Sequence, residues 1–166
     1  MPDFVINTGP IIALSAACES LGFLEKLYGE IIVPNEVASE LKAGGSESPE
    51  WMAVSGCKVF TVIEERTEIP PFLNSILDSG EASVIQTALR KRIPIVAIDE
   101  RLGRRVARLH NLSVTGSIGI LVKAVKAGLL TNLNGCFQRM RAHGIWMSED
   151  LENTAYKLLE QSSSEM

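Results

Sequence analysis

Glu81, in LDSGEASVIQTALRKR, sits four residues before Ile85, on the stripe that Ile85, Ala88 and Leu89 mark at helical spacing. A carboxylate on a face destined for burial is costly unless it is paired or holds a cation. The plainer account is a favourable charge in the first turn of a helix, with Gly80 as its cap. In PIVAIDERLGRRVARL the apolar run 95–98 delivers Asp99 and Glu100 to the carboxyl end of a strand, where a helix begins. There they serve equally well as an N-cap and a first-turn acid. VPNEVASEL places Glu36 and Glu40 one turn apart, with Glu40 beside the Val37/Leu41 face. VINTGPIIAL ends an apolar run in Asn7-Thr8-Gly9-Pro10, a strand-to-helix turn of the kind that binds ligands in open α/β sheets. Asn7, Glu40, Glu81, Asp99 and Glu100 can therefore converge on the carboxyl edge of one sheet. Clustered carboxylates repel unless a cation screens them, and an all-oxygen donor set selects hard ions such as Mg2+ or Mn2+. Such a site polarises a phosphodiester and activates water to hydrolyse it.

The elements that must position these residues alternate between strand and helix. Strand-like runs stand at Phe4–Ile6, Ile31–Val33, 59–63, 95–98 and near Val114. Helical periodicity fills most of the gaps between them. FVI, IIV and IVAI are continuously apolar, as strands covered on both faces must be. The pattern predicts a mainly parallel sheet with helices on both faces. Residues 44–49, GGSESP, read as a flexible loop. Beyond Ser117 the chain reads as helical over about 118–128, 132–143 and 148–161, with the SSSEM tail frayed.

A length of 166 residues suits one domain with one core, residues 1–166. Hydrophobic residues make up 46% and aromatic residues only 5%, so the core must be mostly aliphatic. No apolar stretch approaches the ~20 residues needed to span a membrane, and the N-terminus has no signal-peptide pattern. Cys18, Cys57 and Cys136 form no CxxC motif and read as ordinary thiols in a reducing cytoplasm. His110 and His143 are isolated, and Trp51 and Trp146 read as packing residues. The net charge of −4 argues against coating nucleic acid by bulk charge. It leaves room for a local basic patch, and seven basic residues lie between Arg90 and Arg108 against Asp99 and Glu100. Among them Arg101, Arg104, Arg105 and Arg108 recur at i, i+3, i+4 and i+7, opposite an apolar face of Leu102, Val106 and Leu109. This is either a solvated helix face or an edge that contacts phosphates, with Arg104 alternatively pairing with an active-site acid.

Across residues 3 to 160 the chain resembles the PIN-domain superfamily of metal-dependent ribonucleases, which includes the toxins of prokaryotic toxin–antitoxin pairs. The resemblance is to a branch with a DTSP-like turn, a GE helix start, a DDxxxR segment and a GTxG turn. Here these are Asn7-Thr8-Gly9-Pro10, Gly80-Glu81, Asp99-Glu100 followed by Arg104, and Gly116-Ser117-Ile118-Gly119, with Glu40 at the second acidic position. The resemblance implies a three-layer α/β/α fold. It implies Glu40, Glu81 and Asp99 as ligands of Mg2+ or Mn2+, Glu100 as the second acid of its pair, and Ser117 as a hydroxyl that helps position metal or water. Thr8 would support the first turn. Asn7 stands where the family usually has an Asp: its amide oxygen still coordinates a hard cation but adds no charge and cannot act as a base. The implied substrate is RNA, cut to 5′-phosphate and 3′-hydroxyl ends, and the implied partners are an antitoxin and a second copy of the chain. Two further readings compete. One is a degenerate PIN domain that binds RNA or protein without cutting. The other is a phospho-acceptor receiver domain, disfavoured because the first strand ends in Asn rather than an acidic pair.

Overall fold

The computed structural model describes residues 1–161; the SSSEM tail, with its expected fraying, lies outside the described residues. Five short strands form one sheet: β1 (Phe4–Ile6), β2 (Ile31–Val33), β3 (Phe60–Val62), β4 (Ile95–Ala97) and β5 (Ser113–Thr115). All pairings are parallel, in the order β3-β2-β1-β4-β5. The expected runs become strands, one or two residues shorter at 59–63 and 95–98. β1 and β2 are buried throughout, whereas the edge strands β3 and β5 keep partly exposed residues. That gradient explains why the central strands are written in FVI and IIV and the edges in FTV and SVT.

Nine α-helices among the described residues surround the sheet, giving the expected three-layer α/β/α arrangement. They are α1 (Thr8–Ala17), α2 (Asn35–Ala43), α3 (Pro49–Ser55), α4 (Pro71–Ile76), α5 (Ser79–Lys91), α6 (Arg101–Leu109), α7 (Ser117–Lys126), α8 (Leu133–Ala142) and α9 (Glu149–Gln161). The GGSESP loop ends in a helix start, where Ser48 accepts from the Trp51 N–H and Pro49 fills the first position. α1 packs on α8 and α7, α2 on α5, and α7 on α9. Of the twelve largest fully buried side chains only Phe4 and Phe137 are aromatic, so the core is aliphatic as the composition requires. Burying each such side chain is worth about 1.5–3 kcal/mol.

Three packing expectations are corrected. α6 does not bury Leu102 and Leu109, which are 52% and 74% exposed; it buries Gly103, Val106 and Ala107. Small residues let α6 lie close to its neighbours α5 and β5, and the larger leucines are left outside. Leu89 on α5 is likewise partly exposed, while Val84 and Ala88 go inward. Trp146 is 84% exposed rather than packed, whereas Trp51 is half-buried with Lys42 Nζ 4.5 Å from its ring centre.

The strand order places the functional edge. Leaving β1, the chain builds β2 and β3 on one side, then returns to build β4 and β5 on the other. Between β1 and β4 the succession reverses, and such switch points leave a crevice outside the carboxyl ends of the strands. Ile6 pairs with Ala97, and the Asn7 N–H donates to the Ala97 carbonyl at 3.0 Å. Asn7 and Asp99 therefore leave adjacent strands on either side of that crevice.

Candidate metal centre

Asn7 is the N-cap of α1, yet its side chain makes no capping bond. It is 5% exposed, and its Oδ1 has no hydrogen-bond partner. A buried carbonyl oxygen without a donor is a standing cost, ordinarily about 1–3 kcal/mol. Thr8, next along, donates from Oγ1 to Glu40 Oε2 at 2.8 Å and so ties the second turn of α2 to the β1 exit. Glu36, one turn earlier, faces elsewhere and accepts from the Thr67 N–H and hydroxyl. Gly80 closes this group: a methyl there would stand 2.5 Å from Glu40 Oε1 and 3.2 Å from Asn7 Oδ1. Only a residue without a side chain lets both oxygens approach the start of α5 so closely.

Glu81 follows on the buried face of α5, 4% exposed, with Oε1 unpartnered. The cap of α5 is Asp78 and not Gly80: its carboxylate accepts from the Glu81 N–H at 2.8 Å. Asp78, Glu81 and Glu100 bring carboxylate oxygens within 4.8 Å of one another. Asp78 was not singled out from sequence; its signal is the Asp-x-x-Glu spacing of a capping box, which reads as helix structure. α6 reaches this point through Gly103, where a methyl would lie 3.0 Å from Glu81 Oε1. Desolvation, a hydrogen bond with Glu100 and the charges of Asp78 and Glu100 push the Glu81 carboxyl up to about 8, against a lowering by the Asp78 backbone.

Asp99 is held differently. Both oxygens accept from the first residue of α7, Oδ1 from the Ser117 N–H and Oδ2 from the Ser117 hydroxyl, each at 2.8 Å. Asp99 keeps exposed surface as a residue, while the packing around its carboxyl raises its pKa. The Ser117 bonds and the Arg104 charge pull the other way. Ser117 is itself buried, and its hydroxyl is spent on Asp99. Arg104 is withdrawn from the arginine stripe: its Nη1 donates to the Ile98 carbonyl at 2.7 Å and the Thr115 carbonyl at 3.2 Å, closing the ends of β4 and β5. Arg101, Arg105 and Arg108 stay exposed and carry no ion pair among the described residues. Beside Asp99 opens a cleft of about 660 Å³ lined by Arg104, Ser117, Ile118, Trp146 and Leu151. Asp99 is the one carboxylate among the described residues that lines it.

The sequence-derived residues thus fall into three groups: Asn7 with Glu40 at Gly80, Glu81 with Glu100, which Asp78 joins, and Asp99 with Ser117; of the expected acids only Glu81 and Glu100 stand in the tight carboxylate cluster. All donors are oxygens, and two buried ones, Asn7 Oδ1 and Glu81 Oε1, lack any partner. A hard divalent cation fits that donor set, and at the Asp78, Glu81 and Glu100 group it would relieve the repulsion among carboxylates that lie within 4.8 Å of one another. Among the described residues no helix is long and apolar enough to cross a membrane. No curated protein matches the chain. The PIN-domain family model DUF3368 matches residues 3–161, and such a match points to a nuclease. The match takes in every acid brought to the β1/β4 crevice and nearly the full length: the chain belongs to the PIN-domain family.

Proposed function

We propose that this protein is a divalent-metal-dependent endoribonuclease. The observation that carries the reading is the pair of buried, unpartnered oxygens, Asn7 Oδ1 and Glu81 Oε1, set among Glu40, Asp78, Glu100 and Asp99 at the switch point. Mg2+ or Mn2+ held by Glu81, Asp99, Glu40, Glu100 and Asn7 would supply Lewis-acid polarisation of an RNA phosphodiester and lower the pKa of water. The chain's own residues set the stage for that chemistry. Ser117 fixes both oxygens of Asp99, so this carboxylate is oriented before substrate arrives. Thr8 does the same for Glu40. Arg104 pins the β4 and β5 exits that carry Asp99 and Ser117. Arg101, Arg105 and Arg108, free on the outer face of α6, position the RNA backbone without reading sequence.

Asn7 favours a second reading, a PIN domain that binds RNA or a protein without cutting it, because an amide oxygen draws a cation less strongly than a carboxylate. Mn2+ titration calorimetry separates the two. The nuclease reading expects native protein to bind Mn2+ below millimolar concentration and Asn7→Asp to bind several-fold tighter. Absence of binding at millimolar Mn2+ in the native protein, with binding in Asn7→Asp, would transfer the claim to the second reading. We place the protein as the toxin of a toxin–antitoxin pair within the same proposal. The exposed Phe72, Leu102 and Leu109 beside Arg101, Arg105 and Arg108 offer an apolar and basic surface for a protein partner or a second copy.

A further inference from the structure

Two of the three thiols meet although they lie far apart in sequence. Cys18 caps the end of α1, Cys136 sits in α8, and both are buried. Each is the other's neighbour where α1 packs on α8. Arg139, one turn beyond Cys136, clasps the same junction: Nε donates to the Ala17 carbonyl at 2.6 Å and Nη2 to Cys136 Sγ at 3.7 Å. The Cys18 thiol and the Arg139 guanidinium both favour a thiolate at Cys136 and lower its pKa against the cost of burial, while the Cys136 neighbour and burial keep Cys18 protonated. Cys136 is wholly buried, and the pair reaches the surface on the Cys18 side. Cys18 lines a surface pocket of about 330 Å³ with Ser15, Glu25, Met52 and Cys57. Cys57, in that same pocket, is the more accessible thiol and the less activated one. Its Sγ donates to the Leu21 carbonyl at 3.7 Å and Glu25 Oε1 at 3.8 Å, and burial with the Glu25 charge raises its pKa.

We propose that Cys18 and Cys136 form a peroxide-oxidisable dithiol that closes to a disulfide between α1 and α8. Hydrogen peroxide, little larger than water, enters by the pocket on the Cys18 side. The Cys136 thiolate attacks one peroxide oxygen; the O–O bond breaks, and the departing hydroxide takes a proton and leaves as water. The Cys18 sulfur then attacks the sulfenic sulfur of Cys136, and its proton leaves with the displaced hydroxide as a second water. Two thiols are oxidised by two electrons in all, and one peroxide is reduced. The cross-link would tie the α1 end to α8, the helix whose Met140 borders the cleft beside Asp99.

Native protein, fully reduced and then treated with hydrogen peroxide, is alkylated under denaturing conditions and mapped by peptide mass spectrometry. The expected product has lost two hydrogens, joins the Cys18 and Cys136 peptides, leaves Cys57 alkylated, reverts with dithiothreitol and melts at a higher temperature. Cys57→Ser keeps the cross-link, and Arg139→Gln forms it several-fold more slowly. Oxidation confined to Cys57, a Cys18–Cys57 link, or three alkylated thiols after peroxide would each overturn the proposal. Mapping on the native chain carries the decision, so a variant that fails to fold leaves it intact.

Discussion

Glu81 and Asp99 are both acids at one crevice, and burial raises the pKa of each, yet their immediate partners differ. Asp99 has two donors from Ser117 and a nearby guanidinium; Glu81 has an unpartnered oxygen and two acidic neighbours. With its folded pKa raised from 4.5 to about 8, Glu81 binds a proton in the folded state that the unfolded chain has already released. Stability without metal must therefore fall as pH rises from about 4.5 to about 8, because the native state holds the extra proton throughout that window. Thermal melts in chelator should show that decline. Glu81→Gln should flatten it and exceed the native protein at the alkaline end by at least ~1 kcal/mol, one pKa unit being worth about 1.4 kcal/mol. Saturating Mn2+ should remove the decline in the native protein by favouring the charged carboxylate. At this scale the sequence was informative about residue type and weak about pairing. Glu81 on a buried face was legible from its spacing to Ile85. Asp78 was not, because an acid three residues before a Glu satisfies helix capping without further purpose.

α5 carries the sharpest constraint among the elements. Gly80 lies in its first turn, where Ala would ordinarily add about 1 kcal/mol of helix stability. Here the added methyl meets Glu40 Oε1 at 2.5 Å and Asn7 Oδ1 at 3.2 Å, so the helix gain is offset by displaced oxygens. Gly80→Ala should leave the melting temperature within a few degrees of native while weakening Mn2+ binding at least tenfold by calorimetry. A variant that binds Mn2+ as well as the native protein would remove Asn7 and Glu40 from the centre. The strands were readable because their apolar runs are continuous, and α5 because its stripe is strong. α6 was read with an inner face that holds at Val106 and fails at Leu102 and Leu109. Its periodicity offered Leu102, Val106 and Leu109 as one apolar side, but Gly103 and Ala107 are the residues that fit against α5 and β5. Hydrophobic spacing weighs a leucine far above a glycine, whereas close packing of a helix on its neighbours selects for small size.

Over the whole molecule, the order β3-β2-β1-β4-β5 does what no single motif does. It sets the exits of β1 and β4 side by side, so residues as far apart as Asn7, Glu40, Glu81 and Asp99 come to one edge. Alternation of strand and helix announced a parallel sheet, but not which strands flank the switch point, since local periodicity carries no record of long-range pairing. The charge distribution belongs to the same scale. The chain is acidic, yet Arg101, Arg105 and Arg108 stand exposed together on α6, and the proposed nuclease would use them for the RNA backbone. Arg101→Ala/Arg105→Ala should weaken RNA binding and lower the slope of log affinity against log salt by about 1–2, at roughly 0.7–0.9 per phosphate contact. An unchanged slope would move the RNA path off α6.

The most direct measurement is Mn2+-dependent cleavage of a mixed structured RNA by native protein, Asn7→Asp and Asp99→Asn in parallel. Cleavage by the native protein that is faster in Asn7→Asp and lost in Asp99→Asn is the result expected of a nuclease whose amide oxygen serves as a weak ligand. A silent native protein alongside an active Asn7→Asp would contradict it and leave a nuclease scaffold that has lost its chemistry at one position.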